Sequence, residues 1–256
     1  MYLVMPHLLV ILQFLLVVLS WVKPQKYILI LGSLLVGLGC LYLTGFMVQS
    51  PWVMNVKILL FFIVGAVQVF YALFALSNRK ALWRIAGLAQ PLMLPFLLLA
   101  VYLPAISAGP SFIVTPESLQ WHIIGATLAY AVLSLAGFFA FAIITRQAYL
   151  NAHASSHFVA GLPSLEVLEK AQAVALKVSV LALGLSVVAG AFYTREVLGV
   201  WFMAESKTVL TFVTLGLLFA LIIGKRVCGV RGRQGAQLVL LAYFLVIILF
   251  ALSLSF

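Results

Sequence analysis

His122 stands at the head of the run "WHIIGATLAYAVLSLAGFFAFAIITR", residues 121–146. An imidazole at the edge of so apolar a stretch must be solvated, hydrogen-bonded or bound to a metal. Two readings stand side by side. The residue is an interfacial histidine bonded to a nearby loop, or its neutral ring is an axial ligand for haem iron. Counted at helical spacing, Gly125, Ala126, Ala129 and Tyr130 share its face, and Gly137 continues it. Small residues in such a row let another helix, or a flat ligand, approach the backbone closely. Haem also needs cations for its propionates, and Lys57, Arg195 and Lys207 fall on the same predicted side of the membrane as His122. His153 and His157 are four apart and could pair on a metal if helical. No third ligand lies near them, and they read as solvated loop residues.

The elements that would position these groups are membrane helices. Of 256 residues, 66% are hydrophobic and 8% are charged. Successive apolar runs of about 18–25 residues predict transmembrane helices, and a closed barrel would instead show short alternating segments. Eight spans are predicted, at 4–22, 27–48, 54–77, 82–105, 121–146, 165–193, 207–224 and 236–255. The fold class is all-α, a polytopic bundle forming one integral membrane domain over 1–256. The N-terminal run lacks a basic leader region and a small-residue cleavage site, so it reads as an uncleaved first span.

The net charge of +10 sits in short loops, a mark of membrane orientation and not of nucleic-acid binding. Lys23 and Lys26, then Arg79, Lys80 and Arg84, then Arg146 and Lys170, then Lys225, Arg226, Arg231 and Arg233 make every second loop basic. The positive-inside rule puts those loops in the cytoplasm and both termini on the outer side of the membrane. The loop "GKRVCGVRGRQG" is expected to touch anionic lipid headgroups. Trp21, Trp52, Trp83, Trp121 and Trp201 all fall at span ends, where indoles prefer to lie. Pro163 with Glu166 and Glu169 marks the start of a long sixth helix. Pro91 and Pro95 could break or kink the fourth span. Cys40 and Cys228 form no CxxC and read as small apolar fillers. No nucleophile–base pair or metal cluster emerges, so no enzyme is expected.

Four landmarks in order carry a resemblance: "WHIIGATLAYAVLSLAG", "LPSLEVLEK", "ESKTVLTFVT" and "GVRGRQGA". Residues 119–245 resemble the cytochrome c assembly protein family (CcmC/CcsA/HemX-like), nearest its YpjD-type inner-membrane branch. The first 118 residues show no clear family motif. The resemblance implies a bacterial inner membrane, both termini on its outer (periplasmic) side, and handling of haem on that outer face, with His122 matching the first of the family's external histidines. It implies His122 as axial ligand, Gly125 and Tyr130 along the slot, Trp121 and Trp201 as apolar walls, Lys207 or Arg195 near the propionates, and His7 as the same-side candidate for a second ligand. The loop "TREVLGVWFMAESKT" occupies the place of the family's Trp-rich loop, with Trp201 as its tryptophan and Glu205 near the expected acid. Lys225 and Val227 stand where relatives carry histidine after span seven. The alternative is a non-catalytic accessory subunit that packs against another inner-membrane protein. Gly32, Gly37 and Gly39 in span two, the small-residue stripe of span five and the lack of the family's second histidine favour such contact, and the resemblance implies a metal-ion (magnesium) transporter as one partner.

Overall fold

A helix is the economical solution for a chain in hydrocarbon, because it satisfies its own backbone hydrogen bonds. A computed structural model of the chain describes residues 4–22, 24–48, 52–77, 82–103, 112–114, 117–152, 159, 161–203, 206–227, 229 and 232–254. Its helices are α1 (Met5–Val22), α2 (Lys26–Met47), α3 (Val56–Ser77), α4 (Ala86–Tyr102), α5 (Glu117–Asn151), α6 (Leu165–Leu198), α7 (Ser206–Val227) and α8 (Gly232–Leu254), with a 3₁₀ turn at Leu82–Ile85 before α4. Among the described residues, seven are long and apolar enough to cross a membrane, and α8 adds the apolar stretch Gly232–Ile248. The chain is an integral membrane protein built as a polytopic helical bundle.

The expectation of helices alone needs one addition. Trp52–Met54 (β1) pairs antiparallel with Phe112–Val114 (β2), with Val53 opposite Ile113. Both segments lie in loops between spans and are rich in residues that suit extended backbone. Pairing satisfies N–H and C=O groups that no helix serves there.

α5 is the central helix. It packs along α6 and also touches α8 and α3, while α1 packs on α4 and α2, and α2 packs on α3. The two ends of the bundle are cross-tied. His7 of α1 meets the Tyr102 hydroxyl of α4 at 3.2 Å, and Ser118 of α5 donates to Glu196 of α6 at 2.9 Å. At the basic end Arg84 donates to the Gly161 carbonyl, 3.3 Å, and Arg146 donates to the Val159 carbonyl.

The first four helices meet around a polar cluster that hydropathy does not reveal. Gln13 of α1, Ser33 of α2, Gln68 of α3 and Gln90 of α4 are all fully buried. Gln13 donates to the backbone carbonyl and the side-chain oxygen of Gln90, both at 2.9 Å. Gln68 donates to Gln13, 2.7 Å, and to Gln90, 2.9 Å. Gln90 in turn donates to Ser33 Oγ, 2.9 Å, and Ser33 donates to the Leu29 carbonyl, 2.6 Å. Every amide is engaged as donor and acceptor, which is the condition for burying such groups in an apolar medium.

Pro91 and Pro95 lie inside an unbroken α4. Proline has no N–H, so Pro91 leaves the Gly87 carbonyl without its helical partner. The Trp21 indole N–H of α1 donates to that carbonyl at 2.9 Å. A neighbouring helix thus supplies the missing bond.

The glycines of α2 pack within the chain. A Cβ on Gly32 would meet Leu16 at 2.4 Å, and one on Gly39 would meet Leu9 at 2.6 Å, both on α1. A Cβ on Gly37 would come within 3.0 Å of the Gly65 carbonyl of α3. These residues are spent on internal helix contacts and do not present an outer docking stripe.

Replacing Gln90 by leucine removes the hub of the polar cluster and leaves Gln13, Gln68 and Ser33 short of partners. Gln90→Leu is expected to lower stability by about 1–3 kcal/mol, the cost of orphaned buried polar groups. Thermal unfolding in detergent reads this directly, and an unchanged midpoint would contradict it.

Candidate functional site

His122 lies one and a half turns into α5, on the side of the bundle opposite the basic loops. It faces α6, which runs antiparallel to α5. Two glycines set the distance between these helices. A Cβ on Gly125 would come within 3.0 Å of Ser186 Cβ, and one on Gly190 would come within 2.8 Å of His122 Nδ1. The imidazole therefore rests on the bare backbone of α6.

Ser186 clamps the ring in place. Its hydroxyl donates to the His122 carbonyl at 2.8 Å, and its own carbonyl lies 2.7 Å from His122 Nδ1. A carbonyl oxygen only accepts, so Nδ1 carries a hydrogen, and in the neutral ring Nε2 then carries the lone pair. This is the tautomer that a metal-binding histidine needs, with the second nitrogen oriented by a backbone acceptor.

His122 lines a cleft of about 230 Å³ between α5, α6 and α7. Gly190 and Thr194 of α6, Phe202 and Met203 of the following loop, and Thr211 and Phe212 of α7 complete much of its wall. The loop is fastened by local chemistry. Gly199, at φ 73°, ends α6 in a left-handed turn that most side chains avoid. Thr194 Oγ1 then donates to the Trp201 carbonyl at 2.8 Å. The Arg195 guanidinium sits 4.1 Å from the centre of the Trp201 ring, and Phe192 meets the same ring edge-on. Arg195 and Trp201 form one stacked unit, adjacent in sequence to Thr194 and Phe202 of the cleft wall but not themselves part of that wall, with Trp201 about half exposed.

The other residues singled out by sequence do not converge on this cleft. Trp121 is 65% exposed and directed away from the helix core. Gly125 serves the α5–α6 contact, so helix packing takes the room that its face offered to a flat ligand. Tyr130 lines a different cavity of about 240 Å³, with Met93 and Phe96 of α4 and Tyr243 of α8. A Cβ on Gly137, placed on the same stripe, would come within 3.0 Å of the Tyr243 ring. His7 is engaged by Tyr102 on α1 and α4. Lys57 donates to the Val101 and Leu103 carbonyls at 3.0 and 3.4 Å, which caps α4. Glu205, His153, His157 and the side chain of Lys207 lie outside the described residues. Among the described residues, no three or more His, Cys, Asp or Glu gather where they could hold a metal ion.

Sequence reasoning missed Ser186, Gly190, Thr194 and Met203. A signal was present: Ser186 and Gly190 are four apart, the same small-residue spacing that marked α5, on the helix that follows it. Gly190→Ala is expected to push the His122 ring off α6 and break the Nδ1 contact. The ¹⁵N shifts of the imidazole would report a loss of the fixed tautomer, and an unaltered spectrum would show that the ring is not held from this face.

Comparison with known proteins follows this geometry. A family model described as cytochrome C assembly protein matches residues 2–256. The match includes the first four spans, which carried no motif legible by eye. The chain is also 25% identical over 203 residues to the "Uncharacterized 28.8 kDa protein in nifR3-like 5'region" of Azospirillum brasilense, covering 77% of this chain and 73% of that protein. No solved structure matches. The membrane bundle and the near-complete family match together show that this chain belongs to the cytochrome c assembly protein family.

Proposed function

We propose that this protein handles haem at the membrane face opposite its basic loops, with His122 as the axial ligand of the iron. Family membership supports a haem-handling membrane role in general. The observation that carries the finer reading is the held tautomer of His122. Its Nδ1 hydrogen bond to the Ser186 carbonyl leaves Nε2 as a neutral donor on a ring that lines an open cleft.

The residues fit one edge of a porphyrin. Imidazole is a standard iron ligand, and the thioether of Met203 is a second soft donor in the same lining. Phe202 and Phe212 supply apolar walls. The cleft, at about 230 Å³, is smaller than the roughly 300–1,000 Å³ of ordinary small-molecule pockets. Haem would therefore be held partly in the cleft and partly beyond it, an arrangement suited to transient custody. When bound, haem would supply its redox-active iron. This chain would contribute the ligand, the apolar walls and the rim cation of Arg195. Orienting and presenting the cofactor asks no bond-making of the protein, which accords with a non-catalytic role.

The accessory-subunit reading draws on the α2 glycines, and these face α1 and α3. The haem reading keeps its central residue in place.

Purified protein titrated with haem should develop a Soret band. His122→Ala should weaken or shift that band, and His122→Gly should recover it with added imidazole. Met203→Leu should alter the band position with less loss of binding. No band in the parent protein, or one indifferent to position 122, would overturn the assignment.

A further inference from the structure

The basic side of the bundle carries a second, differently built site. There α6, α7 and α8 enclose a polar cavity of about 500 Å³. Lys225, near the end of α7, donates to Gln172 Oε1. Gln172 is 1% exposed, and its amide nitrogen has no partner. Glu169 accepts from the Gly232 N–H at 2.7 Å, and Glu166 pairs with Lys170. Two ammonium groups, two carboxylates and one uncommitted amide N–H thus line one cavity.

Lys225 also lines a second space. Between α7 and α8 an apolar groove of about 170 Å³ is bounded by Leu217, Ala220, Gly224 and Leu238. A Cβ on Gly224 would meet nothing within 4 Å, so the groove is open at that point. From Lys225 to Leu217 the helix runs about 12 Å toward the membrane interior, at about 1.5 Å per residue. A polar chamber at the membrane surface therefore adjoins an apolar channel below it, with one lysine common to both.

We propose that this pair of spaces is a binding site for a phospholipid of the basic-side leaflet, one whose phosphodiester headgroup ends in a primary ammonium. The phosphodiester would take Lys225 and the free Gln172 N–H. The ammonium would face Glu166 and Glu169, and the upper part of one acyl chain would lie along Gly224 and Ala220. Charge argues for this headgroup over others. The lining has two positive and two negative groups and is balanced overall, so a zwitterionic headgroup leaves it neutral whereas a purely anionic one adds an unbalanced negative charge. A free phosphate leaves the groove unused. The general attraction of Arg226 and Arg233 for anionic lipid is a separate, diffuse effect. The proposal is independent of haem binding.

Native mass spectrometry of the full chain, titrated with phosphatidylethanolamine, phosphatidylglycerol, phosphatidylcholine and inorganic phosphate, tests it. Phosphatidylethanolamine should be retained over the other two lipids by roughly fivefold, the size of one ion contact at a surface. Inorganic phosphate should not displace it. Lys225→Gln and Glu169→Gln should each abolish the preference. Gly224→Leu, whose Cβ would meet nothing within 4 Å, should weaken retention of every lipid while leaving the melting temperature in lipid-free detergent unchanged. Equal retention of phosphatidylglycerol, displacement by phosphate, or indifference to Gly224→Leu would each overturn the proposal.

Discussion

The contact that the rest of the structure depends on is the close seam between α5 and α6. Water drives soluble helices together, but lipid tails are as apolar as leucine and give no such push. Association in a bilayer instead rests on near approach and on hydrogen bonds between helices. This seam has both. Gly125 meets Ser186, and Gly190 meets His122. Ser186 and Ser179 reach across to the backbone carbonyls of His122 and Ala129, at 2.8 and 3.0 Å. Individual bonds of this kind are worth about 0.6–2 kcal/mol in membranes. Their joint effect is to fix the rotation of α6 about its axis. That rotation decides which residues face α7 and therefore what the His122 cleft is made of.

The first four helices use a different device for the same problem. The Gln13–Ser33–Gln68–Gln90 cluster takes one polar side chain from each helix, and its bonds close on themselves. A polar group in hydrocarbon is costly until every donor and acceptor is used, so few alternative packings of these helices remain acceptable. Trp21 repairs the gap that Pro91 opens in α4, which makes α1 part of α4's backbone bonding. The four helices form a braced support, joined to α5 through α3.

Charges at the helix ends serve the fold as well as topology. Lys57 closes the C-terminus of α4, where a cation also meets the negative end of the helix dipole. Arg84 and Arg146 hold the loop between α5 and α6 by the carbonyls of Gly161 and Val159. Arg195 stacks on Trp201. Of the three outer-side cations, Lys57 is committed to the fold and Arg195 is positioned by an aromatic ring.

Composition and spacing alone determined the class of the molecule and nearly every span. An apolar run of bilayer length has one stable form, and tryptophan, proline and basic loops mark its ends within a few residues. His122 was visible for the same reason, as an ionisable group at a place where such groups are costly. The interior was decided only by tertiary structure. A stripe on one helix drifts around its axis, since 3.6 residues per turn do not repeat evenly. Gly125 and Ala129 thus face α6, while Tyr130 and Gly137 face another cavity and α8. The glutamine cluster is likewise silent in sequence, because hydropathy averages each glutamine into its apolar window. Which nitrogen of His122 holds the proton depends on a carbonyl sixty-four residues away. A linear chain carries the identity of such partners but not their distance, and at this site distance is what sets the chemistry.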